Sequence, residues 1–189
     1  MKEFKGIVFV GASDVSLETV DSECITTTNA SVKLEGVTAR MTTSNSSTAV
    51  VNHALPGRVR GRGVLLATFG NGADALSVAV AHLSLGAQSR RSQVDFIAEL
   101  LGDHPHAVLM GDFNCDPDRP EMQALYRNTR LQPPATCVPT FPSWKPQRAI
   151  DHVLVTPALQ IATMQAFPAA LSDHLALSVE LDVPERAFE

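Results

Sequence analysis

The sequence predicts an α/β domain organised on a sheet, and three observations predict it. Apolar runs of strand length recur along the chain, each closed by a polar residue. One longer segment has helical rather than alternating period. The 189 residues, 44% hydrophobic and 19% charged, suit a single domain able to bury a core. The clearest run is 107–110, AVLM, which reads as a strand buried on both faces and breaks at Gly111 into Asp112, Phe113 and Asn114. If the chain stays extended there, Asp112 and Asn114 project together and Phe113 turns back into the core. A polar turn of Gly, Asp, Asn and Pro is the plain alternative for this stretch.

The start of the chain is the hardest part to read. Residues 7–10 form a strand pattern, whereas 26–28, Ser31 and 41–48 are rich in Ser, Thr and Asn without period and suggest loops or distorted sequence. After Leu55-Pro56-Gly57 come Arg58, Arg60 and Arg62 at alternate positions. On one side of an extended segment these suit a phosphate backbone or, more commonly, an edge strand protected by charge. Strands over 64–69 and 76–82 flank Gly70-Asn71-Gly72, which has hairpin chemistry, and the second ends on His82.

Residues 89–101 carry the helical pattern. Val94, Ile97 and Leu101 share a face, Arg90, Arg91, Asp95 and Glu99 lie elsewhere, and Gly102 stops the helix, which should cover one face of the sheet. A short helix is expected at 122–126 and a proline-rich passage at 133–146, which holds the only tryptophan, Trp144. Phe141 and Trp144 suit stacking on a ligand or, as is commoner beside prolines, packing of the loop. Strands follow at 153–155, 161–167 and 175–181. The first and last are each entered through an Asp-His pair, Asp151-His152 and Asp173-His174.

His82, Asp112 with Asn114, Asp151 and Asp173 with His174 thus stand at the ends of separate strands, where one sheet rim gathers them. Carboxylates are hard oxygen donors suited to Mg2+ or Mn2+. A histidine backed by an aspartate is held in one tautomer and takes a proton from water. Asn and His donate to phosphoryl oxygens as charge builds. The set describes metal-assisted attack of water on a phosphoester. His152 should point away from Asp151, as a structural or a functional histidine. His53, His104 and His106 lack an acidic partner and are expected to be solvated. Asp116 and Asp118 read as turn formers.

Composition narrows the setting. A net charge of −5 argues against a broad basic surface for coating nucleic acid. Cys24, Cys115 and Cys137 are odd in number and form no C-x-x-C pair, so neither a disulfide framework nor a zinc site is indicated. No apolar segment is long enough to span a bilayer or to act as a secretory signal, and a soluble, cytoplasmic protein is expected.

HLSLG at 82–86, GDFN at 111–114, TFPSW at 140–144, IDH at 150–152 and SDH at 172–174, in that order, resemble the endonuclease/exonuclease/phosphatase superfamily. Its members include deoxyribonuclease I, exonuclease III and neutral sphingomyelinases. The resemblance covers 55–181 and leaves 1–50 divergent within one domain over 1–189. It implies a four-layer-type β-sandwich, two packed mixed sheets flanked by helices, with the site at one end. Position by position, His174 resembles the general base and Asp151 its orienter. Asp112 resembles the residue that positions water and touches metal, Asn114 and His82 the phosphate-side donors, and Asp173 a metal ligand.

The family's leading strands, bearing a metal-site Asn and a Gln-Glu pair, are not found. The fold is therefore expected to be N-terminally incomplete, with an exposed sheet edge inviting a homodimer. Glu18 is a poor replacement ligand. Two functions follow from this reading. One is a Mg2+- or Mn2+-dependent phosphoesterase acting on nucleic acid or a small phosphodiester; the other is an impaired relative serving as a binding or scaffold module.

Overall fold

The computed structural model describes residues 8–10, 25–26, 29–34, 37–42, 47–57, 62–167 and 172–184. Glu18, Cys24, Arg58 and Arg60, named above for their chemistry, lie outside the described residues.

Eleven strands and two α-helices are described, in the order β1 (Val8–Val10), β2 (Ile25–Thr26), β3 (Asn29–Leu34), β4 (Val37–Thr42), β5 (Ser47–Ala54), β6 (Gly63–Phe69), β7 (Leu76–His82), α1 (Ala87–Leu101), β8 (His106–Asp112), α2 (Pro120–Asn128), β9 (Asp151–Val155), β10 (Gln160–Phe167) and β11 (Ala176–Asp182). They form a six-stranded sheet in the order β2-β5-β6-β7-β8-β9 and a five-stranded sheet in the order β10-β11-β1-β4-β3.

The side-chain period of the strands explains how the layers stack. On β6, Leu65, Ala67 and Phe69 join Val78 and Val80 of β7, Val108 and Met110 of β8 and Val153 of β9 in a core shared with Leu177, Val179 and Leu181 of β11. Their neighbours Val64, Ala79, Ala81, Ala107, Leu109 and Leu154 face the other way, against Val94, Ile97 and Leu101 of α1 and Met122 and Leu125 of α2. The six-stranded sheet is thus apolar on both faces at its centre. Every residue of β8 is buried, as its continuous apolar run requires. Gly70 and Gly72, at φ 81° and 72°, make the sharp return between β6 and β7. At the end of α1, Gly102 donates its N–H to Ala98.

Several expectations are corrected by the fold. Of the residues read as loops or distorted sequence, Thr26, Ser31, Met41, Thr42, Ser47 and Thr48 lie in strands, and β3 and β4 pair from Asn29↔Thr42 to Leu34↔Val37. Threonine is β-branched and fits a strand without giving a hydrophobic period, so the pattern was silent there. Mixed pairing is confined to the six-stranded sheet. Its β7 and β8 are parallel because α1 carries the chain back across the sheet, and every other described pair is antiparallel. Among the described residues helices cover only the six-stranded sheet; a layer on the far side of the five-stranded sheet is not among them. β1 fills the place between β11 and β4, so the strand that follows His174 is flanked on both sides.

Polar residues also depart from expectation. His106 is wholly buried and donates Nδ1–H to the Asp74 carbonyl at 2.8 Å, and His104 pairs with Ser77 at 2.7 Å. Arg62 is not a solvated edge residue; it donates to the His82 carbonyl at 3.0 Å. Arg90, expected on the open face of α1, is buried in an ion pair with Glu121 of α2 at 2.8 Å. A salt bridge between elements 31 residues apart leaves no trace in local periodicity.

Candidate active site

The register of three adjacent strands builds one wall of the site. His82 ends β7 directly beside Asp112 at the end of β8, and Asp112 lies directly across from Asp151 at the start of β9. Each has the same parity as the inter-sheet core residues of its own strand, Val80, Met110 and Val153. All three side chains therefore project between the sheets at the end where the sandwich opens. Gly111 makes this row possible: it sits at φ 140°, and a Cβ there would lie 1.8 Å from the Ala81 carbonyl oxygen.

His174 arrives from the opposite sheet, in the turn before β11. The proline-rich passage ties that turn down: Ser143 donates its N–H to Asp173 at 2.7 Å and its hydroxyl to Ser172 at 2.6 Å, and Leu175 donates to Thr140 at 2.8 Å. The Phe141 ring lies 4.9 Å from the imidazole, centroid to centroid. Nδ1–H of His174 donates to Asp151 Oδ2 at 2.7 Å, and the Thr140 hydroxyl donates to the same oxygen. Nε2 faces Asp112 Oδ2 at 4.0 Å, beyond hydrogen-bonding reach, while His82 Nε2 is 3.3 Å from that oxygen.

Four of the residues singled out from the sequence, His82, Asp112, Asp151 and His174, are thus brought together. Asp112, Asp151 and His174 are 5%, 2% and 5% exposed, and one ligand atom from each lies within 4.8 Å of the others. Asn114 adjoins them. Instead of continuing extended it adopts φ 53°, its N–H donates to Asp112 Oδ1 at 2.8 Å, and its amide donates to the Leu83 carbonyl at 2.9 Å. Phe113 turns into the helix-side core as expected. Asp173 is exposed and falls outside the cluster of three.

Charge is unevenly balanced here. Burial, then the neighbouring Asp151 carboxylate, holds Asp112 above the ordinary carboxylate range despite His82, the Asn114 N–H and His174. Burial alone would lower His174. The hydrogen bond and charge of Asp151, with Asp112 and Asp173, outweigh it and raise the imidazole above its ordinary 6.5. Asp151 Oδ1 is buried without a hydrogen-bond partner. Two acids this close, one with an orphaned oxygen, suit a site that receives positive charge.

Other candidates are structural. His152 points away from Asp151, donates Nε2–H to the Cys115 carbonyl at 2.8 Å and meets the Phe113 ring edge-on. Burial lowers its pKa, so it stays neutral. Cys115 is no nucleophile, because burial pushes its thiol up to about 11. Trp144 is 77% exposed and packs no core, whereas Phe141 does pack, on the His174 imidazole. Thr140 and Phe141 carried no chemical signal by themselves; only their place in TFPSW before IDH pointed to them.

No curated protein matches the sequence. Solved structures share its fold: a functionally unknown conserved protein from Enterococcus faecalis V583, at 20% identity and TM-score 0.61 over 83% of this chain and 77% of that one. Humanized D. rerio TDP2 aligns at 13% identity and TM-score 0.60 over 82% and 77%. The inositol polyphosphate 5-phosphatase domain of SPsynaptojanin, solved with inositol (1,4)-bisphosphate and calcium, aligns at 16% and 0.57 over 82% and 61%. Among the described residues no helix is long and apolar enough to cross a membrane. The family model described as Endonuclease/Exonuclease/phosphatase family matches residues 40–174, which hold every residue of the cluster, and the chain belongs to that family.

Proposed function

We propose that the protein is a phosphoester hydrolase that activates water with the His174–Asp151 pair. The observation that carries this reading is the 2.7 Å bond from Nδ1 of His174 to the buried Asp151 carboxylate, which fixes the tautomer and leaves Nε2 as the base. Nε2 and Asp112 Oδ2, 4.0 Å apart, bracket the place of the attacking water. The imidazole takes its proton, the hydroxide oxygen bonds to phosphorus and the ester P–O bond breaks, releasing an alcohol and a phosphate or phosphate ester. His82 and Asn114, on the open side of the cluster, donate to the phosphoryl oxygens as charge develops.

A magnesium or manganese ion, when bound, would neutralise phosphoryl charge. Asp112 would hold it, with the unpartnered Oδ1 of Asp151 as a further oxygen donor. The similarity to an inositol polyphosphate 5-phosphatase domain supports phosphoester chemistry and leaves the alcohol open. The second reading is a binding module that keeps the cluster without turnover.

Turnover of bis(p-nitrophenyl) phosphate with added Mg2+ or Mn2+ separates the two, with Asp112→Asn as the comparison. The parent hydrolyses the ester only with the ion, and Asp112→Asn abolishes hydrolysis. That variant also melts higher. The folded pKa of Asp112 is raised, so its favourable contribution exists at low pH and is lost as pH rises through that value, above which the ionised carboxylate is a cost. Removing the charge raises the melting temperature by about 2–4 °C, the response to about 1 kcal/mol in a chain of this size. A parent that hydrolyses nothing at millimolar ion contradicts the enzyme reading.

A further inference from the structure

A cleft of about 570 Å3 opens on the helix side of Asn114, and mechanism has not used it. Its lining includes Arg90, Arg91, Arg119, Arg148 and Glu121. Arg90 donates Nε–H to Glu121 Oε1 at 2.8 Å, sets a second guanidinium nitrogen 2.8 Å from the same oxygen, and reaches the carbonyls of Ser84 and Leu85 with its other arm. The pair is neutral. Arg91 and Arg148 are exposed and have no carboxylate partner among the described residues, and Arg119 meets only the half-buried Asp116, at 3.9 Å. Net positive charge in this one cleft contrasts with the −5 of the whole chain.

The amino end of α1 adds to that charge. Gly86 at its N-cap offers no side chain to the first-turn N–H groups, and no acidic residue stands in that turn. Guanidinium forks match phosphate oxygens in geometry as well as charge. The volume exceeds what a bare ion fills and falls in the range of ligand pockets. Asn114 belongs to both places: it lines the cleft, and its N–H is bonded to Asp112.

We propose that this cleft is a second phosphate subsite, so that the preferred substrate carries a phosphate group besides the ester that is cleaved. This rests on the hydrolase reading above for its use, though not for its existence. The second phosphate comes from a neighbouring nucleotide or from a polyphosphorylated small molecule, and the test separates these.

Inorganic phosphate is titrated calorimetrically into the parent and into the double variant Arg91→Ala/Arg148→Ala. Saturable binding in the parent that weakens at least about tenfold in the variant supports the subsite; no binding, or equal affinity, overturns it whether or not the protein hydrolyses anything. The kcat/KM of a 5′-phosphorylated dinucleotide and of inositol (1,4)-bisphosphate is then divided by that of bis(p-nitrophenyl) phosphate. One of the two ratios, which identifies the source, falls at least about tenfold in the double variant. Ratios that stay level overturn the proposal. A parent inert toward all three esters sinks the hydrolase reading instead, and the phosphate titration still judges the cleft.

Discussion

His174→Ala lowers kcat on a phosphodiester by about 10²–10⁴-fold, the range that a positioned general base contributes. The second nitrogen of this imidazole is locked: Nδ1–H is held by Asp151, itself held by Thr140. Alanine removes the proton acceptor and leaves Asp151 Oδ2 with its Thr140 bond. The anchoring bonds of the 172–175 turn run through backbone atoms and Ser143, so the variant keeps its fold and melts near the parent. Both readouts matter, because loss of activity with loss of folding would say nothing about chemistry. Turnover within about twofold of the parent, in a folded variant, excludes His174 as the base.

Gly111→Ala produces the largest stability effect. The residue sits at φ 140°, where L side chains are rarely found, and its Cβ would overlap backbone of β7 at 1.8 Å, with further Ala81 atoms at 2.9 and 3.2 Å. No side chain can swing aside, because the obstruction is main chain in the buried centre of the sheet. Relief requires parting β7 from β8 at the Ala81↔Gly111 pair, immediately before the His82↔Asp112 pair. The cost is about 4 kcal/mol or more, which lowers the melting temperature by about 10 °C or prevents folding. Melting within about 2 °C of the parent by calorimetry would falsify the close approach of the two strands.

Much of the site was legible because its residues end strands whose apolar runs are unmistakable. The runs at 76–82 and 106–112 place His82 and Asp112 at strand ends, and alternation along an extended chain sends His152 to the opposite face from Asp151. What failed to show was whatever depends on partners distant in sequence. Arg90 looks like a surface residue until Glu121 is placed against it, and His106 like a loop residue until β8 is buried. Thr140 reads as one more polar residue among prolines, yet it donates to the same Asp151 oxygen as His174. Asn114 was placed correctly beside Asp112 for a different reason than expected. A left-handed turn closed by the Asp112 carboxylate, rather than continued extension, sets its position. The strands at 25–54 remained obscure because their sequence is rich in β-branched threonine, which suits a strand without giving an alternating apolar pattern.

The pH profile of kcat/KM tests the base most directly. Neutral His174 accepts the proton, so activity falls as pH drops through its pKa, which Asp151 and its acidic neighbours hold above 6.5 against the effect of burial. The stabilising effect of the same pair has the opposite sense: it is present at low pH and fades as pH rises through that value. The account predicts an acid limb above pH 6.5 for the parent that disappears from the residual activity of His174→Ala. A limb in the ordinary carboxylate range, or one that survives in the variant, contradicts it.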